Sequence, residues 1–313
     1  MKIVLVTGST TSVNIIKWLN EQGVLSGVLF ENGTESFFNA LSNDLSKWNI
    51  KTYSVKKNGL DQACLKWFHS MKPDLVIVFG FSMIIPKQFF ETAKFGFYNI
   101  HFSLLPSYKG PAPVFWQLKN GEKLTGVSLH EMTEKVDSGF VLLQLPYQIQ
   151  PTDMYGILHL RLTEMVIPMI YEFLHTKMYA SKQKRIAPYI IQDSYEKRPG
   201  IQDLKIEWAS MEAFQVVNLI KATNPSYQGA LTFYKGNEVR ILKGSVYKYK
   251  METNNTLEPG QLIQEDNQLL VICKSNTVLK IDIIANMFGV INGEDWKSVF
   301  VHKHEKPSIH FFT

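Results

Sequence analysis

The chain has 313 residues, 45% of them hydrophobic, which is enough for two domains that each bury a core, and its pattern excludes collagen, repeat arrays and extended disorder. Its 33 lysines and arginines against 28 aspartates and glutamates leave a net charge of +5, which admits an anionic ligand but not the dense cationic surface of a general nucleic-acid binder. Cys64 and Cys273 lie far apart without a CxxC partner, which excludes a disulfide framework and a cysteine zinc site and points to a reducing, cytoplasmic setting.

Residues 2–6 form a β-branched run read as a strand, followed by the turn Thr7-Gly8-Ser9 and a helical pattern through Val13, Ile16, Trp18 and Leu19. The apolar run here is too short for a signal peptide, so no export is expected. The alternation then repeats: strand at 25–30, helix at 37–48, strand at 52–55, helix at 63–71 and a continuous apolar strand at 75–79. Strands buried on both faces read this way. The longest apolar stretch, 75–86, is broken by Gly80 and Ser82 and falls short of the roughly 18 residues of a membrane span, so a soluble chain with no membrane partner is expected. The expected fold is α/β, with a doubly wound, Rossmann-like and mostly parallel sheet whose ligand crevice lies beyond the carboxyl ends of the strands.

A short strand at 97–101, a helix at 114–119 and strands at 127–131 and 141–148 follow. Thr152 or Asp153 caps a long helix whose apolar positions Met154, Ile157, Leu158, Leu162, Met165, Val166, Met169, Ile170 and Phe173 mark one buried face, closing a first domain at 1–176. Periodicity then stops, and residues 177–200 carry six basic residues (Lys177, Lys182, Lys184, Arg185, Lys197 and Arg198) against Asp193 and Glu196. A basic linker over 177–203 is expected. Beyond a helix at 211–222, short strands at 231–234, 239–246, 261–264, 269–274 and 278–284, with turn signals at Gly236-Asn237 and Ser275-Asn276, predict a small, barrel-like β domain over 204–313.

Thr7-Gly8-Ser9 has one glycine where a dinucleotide fingerprint needs three, so it reads as a tight turn before a helix. His130 alternates with Leu129 on a strand and lacks a second ligand at metal spacing, which makes it a structural or crevice-edge histidine; no metal site is expected. His302 and His304 read as tail residues, and the tail His310-Phe311-Phe312 as docked or frayed. Trp116 reads first as part of a buried helix face and second as a wall of an acceptor pocket.

The informative stretch is Asn99-Ile100-His101-Phe102-Ser103-Leu104-Leu105-Pro106, then Lys109-Gly110-Pro111, and later Asp137-Ser138-Gly139. Strand alternation sends Asn99 and His101 to one face, where a carboxamide and an imidazole can both donate to one developing oxyanion. Asp137, in a polar turn between two strands, can reach the same crevice and orient or charge the histidine. The plain structural reading, a strand end satisfying backbone groups and an ordinary Asp-Ser-Gly turn, stands beside it.

The pattern Asn-x-His-x-Ser-Leu-Leu-Pro, followed by Lys-Gly, the strand Thr125-Gly126-Val127-Ser128-Leu129-His130 and Asp-Ser-Gly, resembles the formyltransferases that use 10-formyltetrahydrofolate. Ser82-Met83-Ile84-Ile85-Pro86 and Asn224-Pro225-Ser226-Tyr227-Gln228-Gly229-Ala230 extend the resemblance over nearly the whole chain. It implies attack by a primary amine on the formyl carbon, with Asn99 and His101 stabilising the tetrahedral oxyanion and Asp137 holding His101 and helping to move a proton off the ammonium. The same resemblance implies a folate site formed by Met83, Ile84, Ile85, Val136 and Asp137 around the pterin, with Leu104 and Leu105 toward the aminobenzoyl group and Ser103 among the folate-binding residues; a plain core role for the apolar members stands beside it.

Two kinds of acceptor fit that resemblance. Initiator methionyl-tRNA formyltransferases share the layout but resemble one another in a basic loop after the second strand, whereas residues 31–46 here hold three acids and no lysine or arginine. Residues 204–313 carry 12 basic and 11 acidic residues, without the positive field that phosphate backbones reward. A small anionic amine, such as a nucleotide-linked amino sugar, is therefore the favoured acceptor and tRNA the alternative; a folate-binding module without turnover and a formyl-folate hydrolase are further readings.

Overall fold

A computed structural model describes residues 1–31, 45–56, 59–177, 192–249, 257–265, 267–296 and 309–312. The chain divides into two compact units interleaved in sequence: the first takes Met1–Pro113, Leu124–Gln148 and His159–Lys197, the second Val114–Lys123, Ile149–Leu158 and Arg198–Thr313.

In the first unit, β1 (Ile3–Thr7), β2 (Leu25–Glu31), β3 (Lys51–Val55), β4 (Leu75–Phe79), β5 (Phe97–His101), β6 (Leu124–Glu131) and β7 (Val141–Gln148) form one sheet in the order β3-β2-β1-β4-β5-β6-β7. Pairing is parallel from β3 to β5 and antiparallel for β6 and β7, so the mostly parallel, Rossmann-like sheet expected from the alternation is present. Every residue of β1 and β4 is buried, as central strands covered on both faces require. Ser9 closes the turn before helix α1 (Val13–Glu21) by accepting from the Thr11 amide. Helix α2 (Gln62–Met71) is capped by Asp61, which accepts from the Cys64 amide at 2.8 Å, and buries Phe68 among Val76, Val78, Phe89 and Phe97. Sequestering a ring of that size contributes roughly 1.5–3 kcal/mol. Most of the helix expected at 37–48 lies outside the described residues.

Helix α3 (Pro113–Asn120) belongs to the second unit apart from Pro113. The single long helix expected after Asp153 is two: α4 (Tyr155–Glu164) and α5 (Val166–Glu172). Pro168 explains the break, since it has no N–H for the Glu164 carbonyl and its ring collides with that carbonyl in a continuous helix. The buried stripe is Leu158, Leu162, Val166, Met169, Ile170 and Phe173, whereas Ile157, expected in it, is 45% exposed.

The second unit holds helix α6 (Ala213–Thr223) and a sheet of β8 (Ala230–Tyr234), β9 (Asn237–Tyr247), β10 (Gln261–Glu265), β11 (Gln268–Ile272), β12 (Val278–Asn286), β13 (Gly289–Asn292) and β14 (Ile309–Phe312). Their order is β11-β10-β14-β8-β9-β12-β13, and the further pairing of β11 with β12 curls the sheet back on itself, as the barrel-like expectation required. The apolar tail is neither loose nor merely docked: β14 fills the place between β10 and β8. Phe311 stacks on Trp208 at 5.7 Å and meets Trp296 at 5.5 Å, forming an aromatic core. Among the described residues no helix is long and apolar enough to cross a membrane.

Candidate active site

The site is built at the carboxyl end of β5, where the parallel part of the sheet gives way to the antiparallel pair β6 and β7. Register sets Asn99 opposite His130 and His101 opposite Ser128. Alternation along both strands thus places Asn99, His101 and His130 around one space, and Asp137 enters it from the loop between β6 and β7. These three side chains converge on the Asp137 carboxylate. Oδ1 lies 3.2 Å from Asn99 Nδ2 and 3.4 Å from His130 Nε2, while Oδ2 lies 3.6 Å from His101 Nδ1 and accepts the Gly110 N–H at 2.9 Å. Asp137 takes φ 48°, a left-handed conformation that aspartate tolerates better than most residues and that aims its carboxylate inward.

These contacts fix protons as well as atoms. His101 Nε2 is 2.8 Å from the Tyr108 carbonyl, which can only accept, so Nε2 carries the hydrogen and a neutral ring leaves Nδ1 bare toward Asp137. His130 Nδ1 likewise donates to the Glu131 carbonyl at 2.9 Å, which makes Nε2 an acceptor for Asn99 Nδ2 at 3.2 Å whenever the ring is neutral. Both amide hydrogens of Asn99 are then committed, one to His130 and one to Asp137. Burial lowers the His101 pKa against the opposing pull of Asp137 and the Tyr108 carbonyl, favouring the neutral imidazole. Burial alone would raise the Asp137 carboxyl, but the His101 and His130 rings and the Gly110 N–H outweigh it and hold the group well below the usual carboxylate range. Asp137 is therefore an anion that accepts the Asn99 and Gly110 N–H groups and faces a ring nitrogen of each histidine. The imidazoles meet opposite oxygens of one carboxylate, and among the described residues no group is arranged to hold a metal ion.

The residues expected on the folate side divide. Ile84 is 76% exposed and Val136 43% exposed, whereas Ile85 is buried and Met83 packs on the same core as Met132. The loop bearing Met83 and Ile84 and the loop bearing Val136 and Asp137 are joined by Lys87 and Glu134 at 2.7 Å. Ser103, Leu104 and Leu105 are buried. The Ser103 hydroxyl donates to the Ser107 carbonyl at 2.6 Å, and Ser128 Oγ donates to the Ser103 carbonyl at 2.5 Å while accepting the Leu105 N–H.

His130 is the participant that sequence reasoning left at the edge. Its place two residues after Ser128, on a strand antiparallel to β5, was the available signal, because i and i+2 share a face. The backbone groups of Tyr108 and Gly110 have no side-chain signature. The basic side chains Lys182, Lys184 and Arg185, the acidic stretch at 32–44 and His302 and His304 lie outside the described residues.

Two family models match the chain: Formyl transferase over residues 27–171 and Formyl transferase, C-terminal domain, over 201–296. A methionyl-tRNA formyltransferase of Pseudothermotoga lettingae is 34% identical over 217 residues, 69% of either chain. The bifunctional polymyxin resistance protein ArnA of Wigglesworthia glossinidia brevipalpis is 29% identical over 77% of this chain and 36% of its own. At the level of fold, WlaRD, a sugar 3N-formyl transferase, superposes with TM-score 0.66 at 18% identity, covering 90% of this chain and 97% of its own. The N-formyltransferase of Helicobacter canadensis does so with TM-score 0.65 at 17% identity, over 90% and 98%. Matched by the family models across most of its length, the chain belongs to the formyl transferase family and is a formyltransferase.

Proposed function

We propose that the protein transfers a formyl group from 10-formyltetrahydrofolate to the primary amine of a small anionic acceptor, a nucleotide-linked amino sugar being the favoured class. The convergence of Asn99, His101 and His130 on an ionised Asp137 carries the chemical part of this reading. The two solved relatives named above, one determined with dTDP and 5-N-formyl-THF and the other with folinic acid and dTDP-3-aminofucose, support the choice of donor and acceptor class.

The folate, when bound, presents the formyl carbon on N10. The exposed apolar side chains of Ile84 and Val136, on loops tied by the Lys87–Glu134 pair, suit a flat heteroaromatic ring, with Met83 and Ile85 beneath. Asp137 accepts the ammonium of the incoming amine, which displaces Asn99 Nδ2 and frees that amide to turn toward the formyl oxygen. Neutral His101 takes up the ammonium proton on Nδ1, beside Asp137, as the amine nitrogen bonds to the formyl carbon. As an imidazolium it adds positive charge where the oxyanion develops, and it returns the proton toward N10 as the bond from the formyl carbon to N10 breaks. The nucleophile belongs to the acceptor, so the protein need supply none.

The acceptor assignment rests on residues 31–46, which hold three acids and no lysine or arginine where a tRNA grip would be basic. Methionyl-tRNA is the second reading, favoured by the names of the relatives at 29–34% identity. The test offers the purified protein 10-formyltetrahydrofolate with charged initiator methionyl-tRNA or with 3- and 4-amino sugars linked to nucleotides. Formylation of a sugar with inert tRNA supports the proposal. Efficient tRNA formylation replaces it, and formate release without an amine product makes the protein a hydrolase.

A further inference from the structure

Part of the stretch expected to be a basic linker is a strap on the active-site loop. Ser194 N donates to the Pro106 carbonyl at 3.3 Å, Lys109 N to the Ser194 carbonyl at 2.9 Å and Glu196 N to the Lys109 carbonyl at 2.8 Å. Side chains reinforce this short parallel bridge: Ser107 Oγ donates to the Gln192 carbonyl at 2.5 Å, and Lys109 Nζ pairs with Asp193 at 2.8 Å. Gly110 is required here, because at φ 106° a methyl group would run into the Glu196 carbonyl.

Under this strap lies Tyr108, at φ 57°, a conformation that a tyrosine keeps only when its surroundings hold it. Its N–H donates to Ser194 Oγ at 2.8 Å, and its carbonyl accepts His101 Nε2–H at 2.8 Å. One peptide residue therefore connects the Ser194 hydroxyl to the imidazole. We propose that Ser194 is a positioning residue that, through the Tyr108 carbonyl, fixes the Nε2–H tautomer of His101 and leaves Nδ1 facing Asp137.

This inference rests on the reading that His101 serves formyl transfer, and its test separates the two. In the full-length protein, imidazole nitrogen NMR reports the His101 tautomer without turnover, with the resonances assigned by their loss in His101→Gln. Ser194→Ala is expected to populate both tautomers, whereas Ser194→Thr, which keeps the hydroxyl, stays wild-type. Asp193→Asn breaks the Lys109 pair alone and should leave the tautomer intact. Ser194→Cys, with a weaker acceptor and nearly the same volume, serves as the test if Ser194→Ala does not fold.

In turnover, Ser194→Ala should lower kcat by about tenfold to a hundredfold with KM for the formyl donor little changed, as small displacements of catalytic groups do. Its acid limb should move to lower pH, because the lost carbonyl contact favoured protonated His101. The other titratable groups facing the ring, Asp137 from its loop and His130 from β6, are untouched. A wild-type tautomer in Ser194→Ala or Ser194→Cys overturns the inference, as does an equal shift in Asp193→Asn, which would assign the effect to the strap as a whole. A shifted tautomer in a protein that transfers no formyl group overturns the functional reading alone.

Discussion

Asp137→Asn separates the chemistry of the site from its architecture. Asparagine is among the residues that best tolerate the left-handed backbone at this position, where φ is 48°, so the loop keeps its shape and the carboxylate charge is what is lost. Asp137 is 8% exposed at its side chain and takes Asn99 and His130 on one oxygen and His101 and Gly110 on the other. Whichever oxygen becomes NH2 then faces an N–H, of Asn99 or of Gly110, and leaving such a donor unpaired costs about 1–3 kcal/mol. Relief of a buried charge offsets part of that, so the net change in stability stays within about 2 kcal/mol. Catalysis suffers more. A charge-assisted hydrogen bond to the ammonium or the imidazolium is worth about 1.5–3 kcal/mol, roughly tenfold to 150-fold in rate, and loss of proton transfer extends the range to about 10²–10⁴ in kcat. The assay is initial-rate release of tetrahydrofolate at saturating formyl donor with the acceptor varied, beside urea unfolding of the same preparation. A kcat within about threefold of wild type would refute the assignment of Asp137, and so would a rate loss that the unfolding curve fully accounts for.

His159 is half-buried against Phe102, ring centroids 5.0 Å apart, and this desolvation lowers its pKa below the ordinary 6.5. Between that value and its folded pKa the unfolded chain binds the extra proton, so stability falls as pH drops below about 6.5; His159→Phe should flatten this acid-side slope by up to about 1.4 kcal/mol per pH unit in urea titrations at several pH values. Trp208, 2% exposed, donates from Nε1 to Thr232 Oγ1 at 3.0 Å and stacks on Phe311, so Trp208→Ala should cost about 3–5 kcal/mol and Trp208→Phe clearly less, read from denaturant midpoints. Reversing the charges of Lys182, Lys184 and Arg185 should weaken binding of the anionic acceptor and reduce its dependence on salt, measured by titration at several ionic strengths; unchanged affinity and slope would make that stretch a solvated spacer.

What the sequence disclosed about this fold is what local patterns encode. The apolar runs of β1 and β4, the capped α2 and the turn at Ser9 follow from composition and spacing over a few residues, and the structure has them where the patterns lie. The same holds for Asn99 and His101, whose shared face is a property of any strand. The broken helix was legible too, had Pro168 been weighed against the apolar stripe running through it. Strand β14 was not, because four tail residues gain their partners from β8 and β10, far earlier in the chain.

The strap illustrates the limit most sharply. Residues 192–196 show no periodicity and border a cluster of charges, which by composition is a solvated connection, yet their backbone groups pair with residues 106–109 across more than eighty positions. Backbone hydrogen bonds are written in no side chain, and neither is the contact of the Tyr108 carbonyl with His101 that depends on them. The ionisation of Asp137 has the same origin: it depends on the Gly110 N–H and on two imidazoles from separate strands, one of which looked structural by itself. A motif can thus name the residues that meet at such a site, but which proton each one holds is decided by distant backbone that the motif does not contain.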